Sequence, residues 1–253
     1  MPDIFPLNHG RRRWLRNGLL VSAALPAALA GCASVPRNVI APPSGFIPDP
    51  RVLSGELWRY ALINRYNGET ITEVTARVAT VAPELRVELV ATNGRAIADE
   101  VYDSAWSIRQ EPIYNDTLVF GQAVSLLPSK LAVGVRDQVQ TTYQVAGKGK
   151  TYPWLVRTHA ANWERISVPA GEFDALRIER RIGFEHDDIF RWDSRRIETL
   201  WYAPTVNRWV MREWTGEYQK NGAESFGFGG LFDHEREDSV RWVLIEHQAA
   251  PVG

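Results

Sequence analysis

Alternation of apolar and polar residues, interrupted by Asn-Gly pairs, is the feature that most limits what this chain can fold into. Trp58, Tyr60 and Leu62 alternate with Arg59, Ala61 and Ile63; Leu85, Val87 and Leu89 alternate with Arg86, Glu88 and Val90; Leu176 and Ile178 alternate with Arg177 and Glu179. A period of two sends successive side chains to opposite faces of an extended strand, so each run predicts a strand with one buried face. Asn67-Gly68, Asn93-Gly94 and Asn221-Gly222 each supply the two positive-φ residues of a type I′ turn, the tight link between antiparallel neighbours. Further turns are predicted at Gly147-Lys148-Gly149, at Pro169-Ala170-Gly171-Glu172 and at Ala203-Pro204. Helix signals are sparse. The irregular stretch 111–133, with Pro112, Gly121 and Pro128, leaves room for one short helix near residues 122–127. The expected fold class is mainly β: a curved antiparallel sheet or half-barrel built from hairpins, with at most one or two short helices.

The amino-terminal segment has a different grammar. Arg11, Arg12, Arg13 and Arg16 precede an apolar run over residues 19–30 that ends in Leu29-Ala30-Gly31-Cys32. A basic region, a short apolar region and small residues before a cleavage point make an export signal rather than a structural element. The run is too short for the ~20 apolar residues of a spanning helix and contains Pro26. Leu29, Ala30, Gly31 and Cys32 resemble the lipobox of bacterial lipoproteins. That resemblance implies cleavage before Cys32, a diacylglycerol thioether on its sulfur, and an acylated new amino terminus carrying a fatty acid such as palmitate. Gly10-Arg11-Arg12-Arg13-Trp14-Leu15-Arg16 also resembles the twin-arginine export motif, although a general secretory signal has the same basic start. The implied layout is a signal peptide at 1–31, a Pro-rich tether at 32–50 that holds the domain off the bilayer, and a β-rich periplasmic domain at 51–250. The domain is expected to open as two related β units, about 51–110 and 131–250.

Charge and cysteine content exclude several classes. The full chain has 29 Lys+Arg and 30 Asp+Glu. The signal holds four arginines and Asp3, which leaves 25 basic against 29 acidic residues beyond it, a net charge of −4. Nucleic acid is therefore not an expected partner. With Cys32 the only cysteine, no intramolecular disulfide can form, and stability must come from the core, to which ten tryptophans contribute large buried areas.

Motifs in the second half resemble those of an uncharacterised family of exported bacterial proteins. Val168-Pro169-Ala170-Gly171-Glu172-Phe173-Asp174-Ala175, Trp201-Tyr202-Ala203-Pro204 and Val243-Leu244-Ile245-Glu246 carry the resemblance, with Gly55-Glu56-Leu57-Trp58-Arg59-Tyr60 upstream. It implies a half-barrel reminiscent of lipoprotein-carrier domains and transfers no catalytic residue. Thr205-Val206-Asn207-Arg208 departs from the glycine common after Ala-Pro in that family.

No Gly-x-Ser-x-Gly elbow, Ser-x-x-Lys pair or His-Glu-x-x-His motif is present. The sequence thus assigns no catalytic residue, metal ligand or cofactor. Two acidic clusters with histidine, 185–188 and 233–238, can act in acid/base or metal chemistry only if their loops meet, and otherwise are solvated hairpin tips. Trp201, Trp209, Trp214, Phe226 and Phe228 are the candidate ligand-binding residues, as aromatics on a concave sheet face or on a glycine-flexible segment. Trp209 and Trp214, five residues apart, fall on opposite faces of a regular strand, so one is expected in the core and one on a groove. The expected function is that of an envelope lipoprotein, membrane-anchored at the inner leaflet of the outer membrane, whose non-enzymatic domain binds a hydrophobic ligand, an envelope lipid or glycan, or a partner protein. Ala33 and Ser34 after the cysteine, in place of an inner-membrane retention Asp, support that destination. The alternatives are a structural or assembly factor acting by protein contacts, and a carboxylate- or metal-dependent hydrolase.

Overall fold

The alternating runs become strands of a single sheet. The computed structural model describes residues 38–44, 47–94, 96–113, 116–186, 188, 191–220 and 234–251, without the side chains of Trp192, Lys220 and His234. Among them the strands are β1 (Val39–Ile40), β2 (Leu57–Asn64), β3 (Thr70–Thr80), β4 (Leu85–Ala91), β5 (Ala96–Ser104), β6 (Ser107–Ile113) and β7 (Asp116–Ser125). There follow β8 (Arg136–Val145), β9 (Thr151–Val168), β10 (Gly171–Phe184), β11 (Arg191–Ala203), β12 (Arg208–Lys220) and β13 (His234–Gln248). Their order round the sheet is β9-β10-β11-β12-β13-β2-β3-β4-β5-β6-β7-β8, and β8 pairs back onto β9 from Arg136↔His159 to Gln144↔Thr151. The sheet therefore closes into a twelve-strand antiparallel barrel. A curved sheet or half-barrel would have left two open edges; here the first and last barrel strands, β2 and β13, pair with each other from Leu57↔Gln248 to Asn64↔Val240 and satisfy each other's backbone groups.

The turns follow their chemistry in part. Asn67-Gly68 lies between β2 and β3 and Asn93-Gly94 between β4 and β5, but only the glycines take positive φ, at 77° and 75°, so these links are longer loops and not the two-residue type I′ turns expected; Gly147-Lys148-Gly149 joins β8 to β9, and Asn221-Gly222 lies outside the described residues. Gly171, at φ 132°, closes the turn that Pro169 begins, in a conformation a side chain would strain. After Ala203-Pro204 the chain makes a single 3₁₀ turn, Pro204–Val206, and Asn207 takes the left-handed position at φ 53° where glycine is common. The Asn207 side chain also receives Arg51 N–H and donates to Arg51 O.

Residues 122–127 form no helix. Val124 pairs with Ile108 and Ser125 with Ser107, and Val124 and Leu126 both point into the core, so cross-strand pairing overrides local helix propensity. The proline-rich segment is partly structural as well: Val39 and Ile40 pair with Glu164 and Trp163 on the edge of β9 that β8 leaves free. Ile40, Ile47 and Val52 pack against the core, so this stretch lies on the barrel instead of standing clear of it.

A barrel of eight strands is just filled by its own side chains, and a wider one needs larger ones. This interior holds Trp58, Trp106, Trp154, Trp163, Trp209, Tyr60, Tyr102 and Tyr202, all almost wholly buried. Trp106 sits at φ 61° in the β5–β6 turn, a costly conformation for a bulky residue. It plugs its indole edge-on against Trp58, Tyr102 and Trp209. The outward face carries ion pairs instead: Arg59 with Glu73 and Glu246, Arg86 with Asp99, Arg165 with Asp174, and Arg241 with Glu213. A bilayer-spanning barrel needs an apolar outer band there.

Replacing Asn207 by Ala is expected to cost about 1–2 kcal/mol from the left-handed backbone, plus the two contacts to Arg51. For a domain of this size that lowers the melting temperature by roughly 2–8 °C. A thermal melt followed by circular dichroism measures it; an unchanged melt would show that the turn does not depend on Asn207.

Candidate functional site

Extending the strand alternation through the charged residues places several of them inside the barrel. On β11, Leu200 and Tyr202 face inward, and parity then sends Glu198, Arg196 and Ser194 the same way; all are buried, while Ile197 between them is 54% exposed. On β12, Arg208 and Arg212 enter the interior, and Glu100 on β5, Glu111 on β6 and Arg180 on β10 join them.

These residues bond to one another. Arg208 Nη2 donates to Glu100 Oε2 at 2.6 Å, and Tyr102 OH donates to the same oxygen at 2.8 Å. Arg212 donates from Nε to Glu198 Oε1 at 2.6 Å and from Nη2 to Glu111. Arg180 Nη1 donates to the other oxygen of Glu198. The cations are also interleaved with indoles. The Arg208 guanidinium lies 4.0 Å from the Trp209 ring centre, Arg212 lies 5.4 Å from both Trp209 and Trp214, and Arg196 lies 5.5 Å from Trp214. Trp58 and Trp106 complete a cage of three indoles around Arg208. The result is a ladder, Arg208, Trp209, Arg212, Trp214, Arg196, in which each cation is next to a ring face. Guanidinium suits this place because it is flat, weakly hydrated and always charged.

Electrostatics inside the ladder oppose desolvation. Burial alone would push Glu198 up, but Arg212, Arg180 and Arg196 outweigh it and hold its carboxyl down at about 2. Burial would strip the protons from Arg208 and Arg212, yet Glu100 beside the first and Glu198 and Glu111 beside the second raise both. Arg180 and Arg196 are lowered, because burial prevails over their neighbours. The ladder does not assemble an acid/base pair poised near neutrality.

Trp201, Trp209 and Trp214 are all buried. Trp201 donates its indole N–H to Glu164 at 2.7 Å, Trp209 is 1% exposed, and Trp214 is 9% exposed with its N–H on Asp238 Oδ2 at 2.8 Å. The expectation that Trp209 and Trp214 take opposite faces is corrected. The register of β12 against β11 jumps from Tyr202↔Trp209 to Trp201↔Met211, so Val210 is an inserted bulge residue and reverses the parity. Both rings consequently flank Arg212. Arg11, Arg12, Leu29, Ala30, Gly31, Cys32, Phe226 and Phe228 lie outside the described residues. The two acidic clusters do approach one another, but through a cation: Arg191 lies 3.6 Å from Asp188 and pairs with Glu237. Among the described residues no group of three or more His, Cys, Asp or Glu is placed to hold a metal ion.

The interior and closure define a closed antiparallel barrel with a salt-bridged, tryptophan-lined centre. Its backbone is similar to three solved structures. A protein described as a lipoprotein from Parabacteroides distasonis matches at 12% identity over 80% of this chain and 98% of that one, with a TM-score of 0.46. An exported protein with a YmcC-like fold from Bacteroides fragilis matches at 12% identity over 81% and 99%, with a TM-score of 0.45. The hypothetical lipoprotein YmcC from Escherichia coli matches at 9% identity over 79% and 87%, with a TM-score of 0.43. A likeness of this size says nothing about what the chain does. No family model matches the chain, and no curated protein sequence does.

Two outcomes are expected of this arrangement. Trp209→Ala and Trp214→Ala should both destabilise strongly, each by about 3–5 kcal/mol, because both remove an indole from between buried guanidiniums. Chemical denaturation measures this, and a mild effect of either would contradict its place in the ladder. Asp238 gives a pH signature: burial pushes its carboxyl up from 3.8 to about 6. The folded state then keeps a proton that the unfolded state has released, so this contribution to stability is full below about pH 3.8 and is lost as pH rises to about 6. Asp238→Asn, which still accepts from Trp214, should melt higher than the unsubstituted protein at pH 7 and no higher at pH 4. Parallel melting curves across that range would detect the converse.

Proposed function

We propose that this protein is a lipoprotein of the bacterial envelope: exported, cut before Cys32, acylated there, and carried as a folded barrel facing the periplasm from the inner leaflet of the outer membrane. The observation that carries this reading is the order of Arg11, Arg12, the apolar run and Leu29-Ala30-Gly31-Cys32, which in sequence precedes barrel strands that begin at Leu57. A charged outer face on the barrel supports a role in water beside the membrane, with the lipid supplying the attachment. Two or three acyl chains do so effectively permanently, at about 0.8 kcal/mol per buried methylene.

The barrel acts by binding at its outside, to a partner protein or an envelope polymer. Support comes from the interior, where Trp209 and Trp214, two of the aromatics that would have lined a ligand groove, are packed against buried guanidiniums. This brings the binding reading close to that of an assembly factor working by protein contacts. A hydrophobic-ligand carrier is the second reading, and it needs a site other than Trp201, Trp209 and Trp214.

Cys32→Ser should abolish incorporation of labelled palmitate and shift the protein from the membrane fraction to soluble or uncleaved forms. Unchanged fractionation with an unchanged amino-terminal mass would reject lipidation. Density-gradient separation tests the destination independently: cofractionation with inner-membrane markers would overturn the outer-membrane assignment and leave lipidation standing.

A further inference from the structure

One guanidinium of the interior ladder has no carboxylate bonded to it among the described residues. Arg180, Arg196, Arg208 and Arg212 are four guanidiniums; Glu100, Glu111 and Glu198 are three carboxylates. Each glutamate is already engaged, Glu100 by Arg208, Glu111 by Arg212, and Glu198 by Arg180 and Arg212. Arg196 is the remainder. It is only 6% exposed, faces inward between Ile182 on β10 and Gly216 on β12, and among the described residues makes neither a salt bridge nor a hydrogen bond. Its one close partner is the face of Trp214. The nearby carboxylates are taken as well, Asp238 by the Trp214 indole and Glu237 by Arg191. A buried charge without a hydrogen-bonded counter-charge is costly enough that proteins rarely keep one without a use.

We propose that Arg196 is the anchor of an internal oxyanion site, which takes the carboxylate or phosphate group of a small ligand in the plane of the guanidinium while Trp214 covers its face. Three features of the site favour this chemistry. Guanidinium presents paired N–H donors at the spacing of two oxygens of such a group. The charge of Arg196 is offset by no bonded carboxylate, so an oxyanion of about −1 would match it locally. Glu198 and Glu111 are near enough to act on Arg196 through space, yet they are held by other arginines, so an incoming oxyanion displaces no existing pair. Arg208, by contrast, has both a carboxylate and three indoles, and offers no comparable vacancy in its charge balance.

The test uses the purified full chain in detergent, titrated at constant ionic strength with sodium phosphate, sodium acetate or sodium chloride while thermal unfolding is followed. Phosphate or acetate should raise the melting temperature saturably, by about 5–10 °C at a hundredfold excess over the dissociation constant, and chloride should not. A response to phosphate alone identifies a phosphate group, and to acetate alone a carboxylate. Arg196→Met removes the charge at similar volume; it should melt higher than the unsubstituted protein without added anion and lose the anion response. Arg196→Lys, which retains the charge without the planar fork, should respond at least tenfold more weakly. No oxyanion response in the unsubstituted protein, or an equal response in Arg196→Met, would overturn the proposal.

Discussion

Opposite walls of the barrel are tied together by ion pairs that cross its interior, and the rest of the structure depends on that crossing. Round the closed sheet, β5 is five strands from β12 and β6 is six, half of the circuit. Glu100 and Glu111 on these strands nevertheless bond to Arg208 and Arg212 on β12. Side chains can span the gap only if the walls approach about as closely as two face-packed sheets, roughly 10 Å apart. The closed sheet is therefore flattened here, sandwich-like in section, and held so by charge-assisted hydrogen bonds between residues more than a hundred positions apart in sequence.

Such a centre is stable only as a unit. Removing one carboxylate leaves a guanidinium without its counter-charge, a change that typically costs 3–5 kcal/mol against a total stability of roughly 5–15 kcal/mol. The indoles reduce the cost of dehydrating the cations by offering ring faces where water would otherwise lie. Tryptophan also fills a lumen too wide for aliphatic side chains, so the aromatic content and the buried charges solve one geometric problem together. Trp106 shows how strongly the fold demands this filling, since its backbone holds a left-handed conformation for the sake of three edge-on ring contacts.

Most strands were legible in the chain, because a half-buried strand needs alternation and a chain reversal favours a glycine at positive φ, and both leave a local mark at Trp58, Tyr60, Leu85, Val87, Gly68 and Gly94, although the turn type expected at the Asn-Gly pairs did not form. Closure was not legible. Closure rests on the pairing of β13 with β2, strands at opposite ends of the barrel sequence that no hairpin joins, and whether a hairpin ladder ends in free edges or returns on itself depends on accumulated twist and bulges. The short helix near 122–127 failed for the same kind of reason: a neighbouring strand, Ser107 to Ile113, claimed those residues.

The interior charges had a signal that was easy to misread. Around Arg196 and Glu198 the apolar residue is Ile197, and local pattern alone would turn it inward. Parity counted from Leu200 and Tyr202 on the same strand gives the opposite answer, and the structure agrees with the longer count. For Trp209 and Trp214, counting fails in turn, because a bulge at Val210 shifts the phase. By itself the sequence determined which segments are strands and where they turn, because each of these depends on neighbours a few residues away. Only the tertiary structure decided that the sheet closes, that arginine and glutamate face its centre, and that Arg196 has no bonded carboxylate among the described residues. Those outcomes depend on register and on contacts across the barrel, which no local window of the chain contains.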